Sequence, residues 1–265
     1  MSSIEARPSI SLVIPMFNEE ENIEHAVACA IEALDDCSDD WEIVIVDDAS
    51  TDRSVEIVQA LSAARPRIRL LRHAVNQKLG GTLRTGYAAA RKDLVVYMDA
   101  DLPFDPHVIG TAVRALRVTR ADVIAGYRLD RTGEGFRRTV YSYLYNTLIG
   151  MLFGWPHRDI NFSFKLLRRE VLQAIELRSE GSLIDAELIV KAKNLGFVIQ
   201  QLGLDYFPRT RGQSTLSSPA VIVKIFRELV RLFPEMRHPR RRTPSEGAPQ
   251  GSPDLTEPAS QVAVR

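Results

Sequence analysis

Apolar residues in this chain fall into short continuous runs that alternate with stretches repeating every three to four positions. "SISLVIP" (Ser9–Pro15) is an apolar run of strand length, and a helical repeat follows from about Glu20 to Leu34. "WEIVIVDDAS" reads as a second strand ending in acids. "TDRSVEIVQALSAA" reads as a second helix, with capping chemistry at Ser50, Thr51 and Asp52. "RIRLLRH", "DLVVYMDAD" and "ADVIAGYR" extend the strand series, with "GGTLRTGYAAAR" and "DPHVIGTAVRAL" as the helices between them; Pro106 suits a first helical turn. Strand–helix alternation of this kind predicts an α/β fold, a mostly parallel Rossmann-like sheet flanked by helices and wound right-handed.

After Arg128 the rhythm changes. A polar loop with Gly133 and Gly135 precedes a long helical region, Phe136 to Phe153. "NFSFKLLRR" alternates like a strand, "LIDAELIVKAKNLG" is helical and "FVIQQLGLDYF" is a further strand. "PAVIVKIFRELVRLF" (Pro219–Phe233) is an amphipathic helix carrying Lys224, Arg227 and Arg231. From Arg237 the chain becomes basic and then Pro-, Ser- and Gly-rich, the composition of a disordered tail over 237–265. Residues 1–236 therefore read as one domain, with a first half over about 9–128 and a second over about 129–236.

Composition narrows this picture only a little. The 265 residues are 45% hydrophobic, and 34 Lys plus Arg balance 34 Asp plus Glu. Global charge names no partner, and no nucleic-acid partner is expected. Cys29 and Cys37 are too few for a disulfide framework and lack metal-ligand spacing, which suits reduced thiols in a cytoplasmic protein. The start of the chain shows no secretory signal. No segment approaches the ~20 apolar residues of a membrane-spanning helix. "YLYNTLIGMLFGW" is too short and is interrupted by Asn146 and Gly150.

Chemistry collects where the strands end. In open parallel sheets, ligands bind beyond the carboxyl ends of the strands. Three features meet that edge: "PMFNEEE", Asp47-Asp48 and Asp99-Ala100-Asp101. In an extended segment Asp99 and Asp101 point the same way and can share one cation. Oxygen ligands suit Mg²⁺ or Mn²⁺, and Mg²⁺ commonly combines one or two carboxylates with substrate phosphates. The competing reading is that the two acids cap the following helix. Neither G-x-G-x-x-G after the first strand nor G-x-x-x-x-G-K-[ST] is present, so dinucleotide Rossmann and P-loop sites are excluded.

"SLVIPMFNEEENI", "EIVIVDDASTDRS", "NQKLGGTLRTGYAAA" and "VVYMDADLPFDP" together resemble the family 2 inverting glycosyltransferases of the GT-A fold, most closely the dolichyl-phosphate and polyprenyl-phosphate sugar (mannose) synthases. The resemblance runs from about Ser9 to Thr215. It implies a nucleotide-sugar donor, GDP- or UDP-linked. Asp47 and Asp48 would face the nucleoside, Pro15, Asn18 and Glu19 would line its pocket, and Asp99, Ala100 and Asp101 would hold the metal-diphosphate. Relatives often carry Gln two residues after the second Asp; here the position is Pro103, which implies a thinner metal shell or one completed by water. Arg128 and Arg209, the latter in "PRTRGQST" with Arg211, match the phosphate-contacting arginines of such enzymes. Arg138 and Ser142, one helical turn apart, match a pair that grips the acceptor phosphate. "HRDINFSFKLLRREV" resembles a family segment whose polar members here are Asp159 and Lys165.

A phosphate acceptor is largely dianionic at neutral pH and needs no strong base, whereas a hydroxyl acceptor needs a carboxylate. The expectation is an inverting, metal-dependent hexosyltransferase. It would move mannose or glucose to a polyprenyl (dolichyl- or undecaprenyl-type) phosphate, held peripherally at the cytoplasmic membrane face by the apolar and basic helices. The alternatives are the same fold acting on a soluble or glycan hydroxyl with Asp185 or Glu187 as base, and a non-catalytic nucleotide-sugar-binding protein.

Overall fold

A computed structural model describes residues 7–130, 136–154, 158–207 and 219–242. The described residues form β1 (Ile10–Met16), α1 (Ile23–Cys37), β2 (Trp41–Asp47), α2 (Ser54–Ala64), β3 (Ile68–Arg72), α3 (Lys78–Ala89), β4 (Leu94–Tyr97), α4 (Val108–Thr119) and β5 (Val123–Arg128). There follow α5 (Phe136–Phe153), β6 (Lys165–Arg168), α6 (Arg169–Ala174), α7 (Ile184–Asn194), β7 (Ile199–Leu204) and α8 (Pro219–Arg237).

Buried β1 and β2 are apolar on both faces, as a parallel strand covered on both sides must be. Ile10, Leu12 and Ile14 face one core with α1, α2 and α4, while Val13, Val44 and Val46 face the other with residues of α3, α5, α7 and α8. The order of the seven-stranded sheet is β3-β2-β1-β4-β6-β5-β7. All pairings are parallel except those of β6, which runs antiparallel to both β4 and β5. After β3 the chain passes over β2 and β1 to add β4 on the far side. That reversal opens a crevice between the carboxyl ends of β1 and β4.

Some boundaries depart from the sequence pattern. β4 ends at Tyr97, four residues short of the acids' end, so Asp99 and Asp101 lie in a turn and not on an extended strand. The apolar pattern continues through Met98, which is buried in the core and whose amide donates to Val13 O of β1 at 3.2 Å. Asp52 does not cap α2 from the N-cap position, which is Arg53; instead its Oδ1 accepts the Ser54 amide at 3.0 Å. α6 was hidden in the run after β6. α8 continues four residues beyond Phe233 through Pro234. The described chain reaches residue 242, where the Arg242 amide donates to Ala174 O at 3.0 Å, so the first basic residues of the expected tail are held on the domain. Residues 243–265 lie outside the described residues.

Candidate active site

The loops after β1 and β2 clasp each other through side chain–backbone hydrogen bonds. The Asn18 amide donates to Ser50 Oγ at 2.9 Å, and Asn18 Oδ1 accepts the Thr51 amide at 2.8 Å. The Glu19 amide donates to Ser54 Oγ at 2.8 Å, the Glu20 amide to Asp52 Oδ2 at 3.1 Å, and the Arg53 amide to Glu20 Oε2 at 3.0 Å. Four non-glycine residues in the left-handed region follow successive strands: Asn18 (φ 55°), Ala49 (φ 65°), Lys78 (φ 61°) and Leu102 (φ 51°). Each such residue costs about 1–3 kcal/mol and persists only where its surroundings impose it. Here the clasp imposes the first two.

Asp47 and Asp48 brace this edge from within. Asp47 is wholly buried, with Oδ1 accepting the Ser50 amide at 3.1 Å and Oδ2 3.5 Å from Arg72 Nε. Asp48 Oδ1 accepts the Gln77 amide at 2.7 Å and lies 2.8 Å from His73 Nδ1, whose Nε2 meets Thr85 Oγ1 at 2.9 Å. One oxygen of each acid thus holds a loop amide, while Asp47 Oδ2 faces the half-buried Arg72 and Asp48 Oδ1 also meets buried His73. Pro15 is half-buried in β1, and Asn18 and Glu19 sit in the clasp.

The turn after β4 carries the expected cation ligands. Asp99 and Asp101 are half-buried and Ala100 is buried between them. Tyr97 Oη donates to Asp99 Oδ1 at 2.8 Å. Among the described residues no group of three or more His, Cys, Asp or Glu forms a metal cluster. Two carboxylates and no soft donor fit a hard divalent cation that takes its other ligands from phosphate oxygens and water, and do not fit a closed protein cage. Pro103 is buried, and its carbonyl accepts the Phe207 amide at 2.9 Å, tying the turn to the segment after β7.

On the other half, acids pair with bases. Arg128 Nη1 lies 3.1 Å from Asp159 Oδ2, and its guanidinium sits 5.0 Å from the Phe162 ring centroid and 4.7 Å from that of Tyr206. Lys165 Nζ donates to Phe162 O at 2.6 Å and is ion-paired with Asp185 Oδ1 at 2.6 Å, within the core. Burial pushes the Asp185 carboxyl above the ordinary range, with Lys165 pulling against it. Glu187 accepts the Arg178 amide at 3.0 Å, the Ser179 amide at 2.8 Å and Lys191 Nζ at 2.6 Å. It is therefore a loop clamp and not an available base. Ser142 is half-buried on α5, and its carbonyl accepts Asn146 Nδ2 at 2.9 Å. The side chain of Arg138, and Arg209 and Arg211 entirely, lie outside the described residues.

Other residues were missed by sequence reasoning. Phe17 stands 47% exposed beside Asn18, an aromatic at the mouth of the crevice. His73 and Tyr97 look like ordinary strand-end residues until the fold gives them Asp48 and Asp99. For Tyr97 the i, i+2 spacing to Asp99 was a usable signal.

α5 leaves Val140, Tyr143, Leu144 and Met151 exposed, and α8 leaves Val223, Phe226 and Val230 exposed beside exposed Arg227 and Arg231. Part of the apolar stretch of α5 is core, through Ile149 and Phe153. No described helix is long and apolar enough to cross a membrane.

A mostly parallel sheet with two clasped loops and an acidic turn at its switch point is an α/β fold of the GT-A type, as the motif resemblance implied. Residues 11–176 match Glycosyl transferase family 2, and the chain belongs to that family. The dolichol-phosphate mannosyltransferase of Pyrococcus furiosus is 31% identical over 230 residues, which are 84% of this chain and 63% of that protein. The undecaprenyl-phosphate 4-deoxy-4-formamido-L-arabinose transferase of Edwardsiella ictaluri is 33% identical over 177 residues, 66% of this chain and 54% of that protein. This chain spans 33% to 63% of the length of such curated relatives. Glucosyl-3-phosphoglycerate synthase from Mycobacterium tuberculosis, solved with Mn²⁺, uridine diphosphate and phosphoglyceric acid, superposes with a TM-score of 0.67 at 21% identity, covering 85% of this chain and 78% of that one. At that identity the likeness is one of fold.

Proposed function

We propose that this protein transfers a hexose, of the mannose or glucose type, from a GDP- or UDP-linked donor to a polyprenyl phosphate at a membrane surface, with inversion at the sugar carbon. The observation that carries the choice of acceptor is the commitment of Asp185 and Glu187. The first is ion-paired to Lys165 in the core and the second is saturated by two amides and Lys191. A hydroxyl acceptor requires a carboxylate base, and a phosphate dianion does not. The Pyrococcus and Edwardsiella relatives, a dolichol-phosphate mannosyltransferase and an undecaprenyl-phosphate sugar transferase, support the same acceptor class.

In this reading residues 9–128 hold the donor and 129–236 the acceptor. Phe17 offers a face to the base, and the clasped loops shape the nucleoside pocket through Pro15, Asn18, Glu19, Asp47 and Asp48. A divalent cation, Mg²⁺ or Mn²⁺, held by Asp99 and Asp101 beside Ala100, would supply positive charge at the diphosphate. Arg128, preset by Asp159 and two aromatic rings, and Arg209 add cationic charge for the leaving diphosphate. Arg138 and Ser142 grip the acceptor phosphate. A phosphate oxygen then bonds to the anomeric carbon as that carbon's bond to the diphosphate oxygen breaks, and the nucleoside diphosphate leaves. The exposed apolar residues of α5 and α8 dip into lipid while Arg227 and Arg231 meet anionic headgroups, placing the protein peripherally at the cytoplasmic face.

Incubation with labelled GDP-mannose or UDP-glucose, Mn²⁺ and polyprenyl phosphate tests this. Organic-extractable label that is labile to mild acid is expected. Label confined to water-soluble products would replace the lipid with a soluble acceptor, and donor binding without turnover would make the protein a binding module. Arg138→Ala should weaken use of the lipid more than donor binding; equal losses would remove its acceptor role.

A further inference from the structure

We propose that Tyr97 is a positioning residue: its hydroxyl sets the carboxylate of Asp99 for a cation bound with a nucleoside diphosphate. This rests on the donor reading above and extends it to a residue outside the acidic motif.

Asp99 stands beyond the last laddered residue of β4, in a turn that passes through left-handed Leu102. The backbone ladder therefore does not orient its side chain. Two carboxylates separated by one residue also repel, so a fixed donor to one of them helps set the pair before a cation arrives. Tyr97 is such a donor: it is the last residue of β4, and its hydroxyl donates to Asp99 Oδ1 at 2.8 Å.

The ring itself is fixed. Tyr97 is 1% exposed and pairs across the ladder with Lys165 of β6. The Lys165 ammonium lies 5.6 Å from the ring centroid and is held by Phe162 O and Asp185. A rigid path thus runs from Asp185 on α7, through the buried lysine and the tyrosine ring, to the carboxylate. Packing alone does not ask for a hydroxyl here, because phenylalanine would fill the same apolar layer beside Val13 and Val95. A buried phenol needs an acceptor, and the one it has is the motif's first acid. Groups that orient cation ligands are typically worth about 10- to 100-fold in metal affinity or activity.

The test is equilibrium binding of UDP and of GDP, by calorimetry, across a Mn²⁺ series, for the parent, Tyr97→Phe, Asp99→Ala and the double variant. Tyr87→Phe is the control, since it removes a buried phenol from the same layer that has no hydrogen-bond partner among the described residues. Tyr97→Phe should raise the half-saturating Mn²⁺ concentration about 10- to 100-fold while nucleotide binding without Mn²⁺ stays unchanged. Tyr87→Phe should shift neither. The double variant should need no more Mn²⁺ than Asp99→Ala alone, because the hydroxyl acts through that carboxylate. An unchanged Mn²⁺ requirement in Tyr97→Phe overturns the proposal. So does an equal loss of binding with and without Mn²⁺, which would mark a packing role, and so do additive losses in the double variant. A parent whose nucleotide binding ignores Mn²⁺ overturns the donor reading itself and this role with it.

Discussion

The two halves of the sheet commit their acids to different partners. On the side of β1, β2 and β3, Asp47, Asp48, Asp52 and Glu20 all accept backbone amides of neighbouring loops, though Asp47 and Asp48 also meet Arg72 and His73. On the side of β5, β6 and α7, Asp159, Asp185 and Glu187 pair with Arg128, Lys165 and Lys191. Acids bonded to amides shape the loops of a rim that, in the proposed reading, receives a cation and a diphosphate. Acids bonded to bases cancel charge in the core and hold helices together, leaving that half's exposed surface to apolar residues and arginines. The same residue type builds a pocket on one side and a frame on the other.

The largest expected effect breaks the frame. Lys165→Met leaves Asp185 buried without its cation and should cost about 3–5 kcal/mol of stability, read from urea unfolding. Burial already raises the Asp185 carboxyl above its ordinary value, against the pull of Lys165, and losing the ammonium raises it further. The folded variant then binds more protons than its unfolded chain, so stability falls as pH rises from the ordinary carboxylate range through the raised one. Its deficit should accordingly be smaller at pH 5 than at pH 8, and the Lys165→Met/Asp185→Leu pair should recover most of it. A deficit independent of pH would mean that Asp185 is not the group left exposed to the loss.

At the rim, Asp101→Ala should lower transfer by at least about a hundredfold, or about 2.7 kcal/mol, with the melting temperature retained. Retained transfer would leave the rim acids as loop braces only. Asn18→Ala should cost about 2 kcal/mol through the lost clasp and the left-handed backbone, and Asn18→Gly about half of that, since glycine tolerates the angle. Both should weaken nucleotide binding in calorimetry while leaving vesicle binding alone. The smallest change in folding belongs to the outer face: Phe226→Ser should alter stability by less than about 0.5 kcal/mol, yet reduce partition into anionic vesicles about tenfold. Equal partition would take α8 out of the membrane contact.

Much of the first half was legible along the chain, because parallel strands buried on both faces read as apolar runs and their ends carry the acids. β6 and α6 were blurred together, since an antiparallel strand flowing directly into a helix offers no turn residue between them. Roles were harder to read than elements. Asp47 and Asp48 look available in "VDDAS", and Asp185 and Glu187 look available in "IDAEL"; each is engaged in the folded chain.

The alternation of strands and helices in the first half, the place of the acidic pair after β4 and the family were legible in the sequence alone, since each depends on local pattern and spacing. Which acids stay available for chemistry was decided only by the tertiary structure. The partner of Asp48 is His73, that of Asp159 is Arg128 and that of Asp185 is Lys165, and only folding brings groups so far apart in the chain within hydrogen-bonding reach and removes the water that would otherwise separate them.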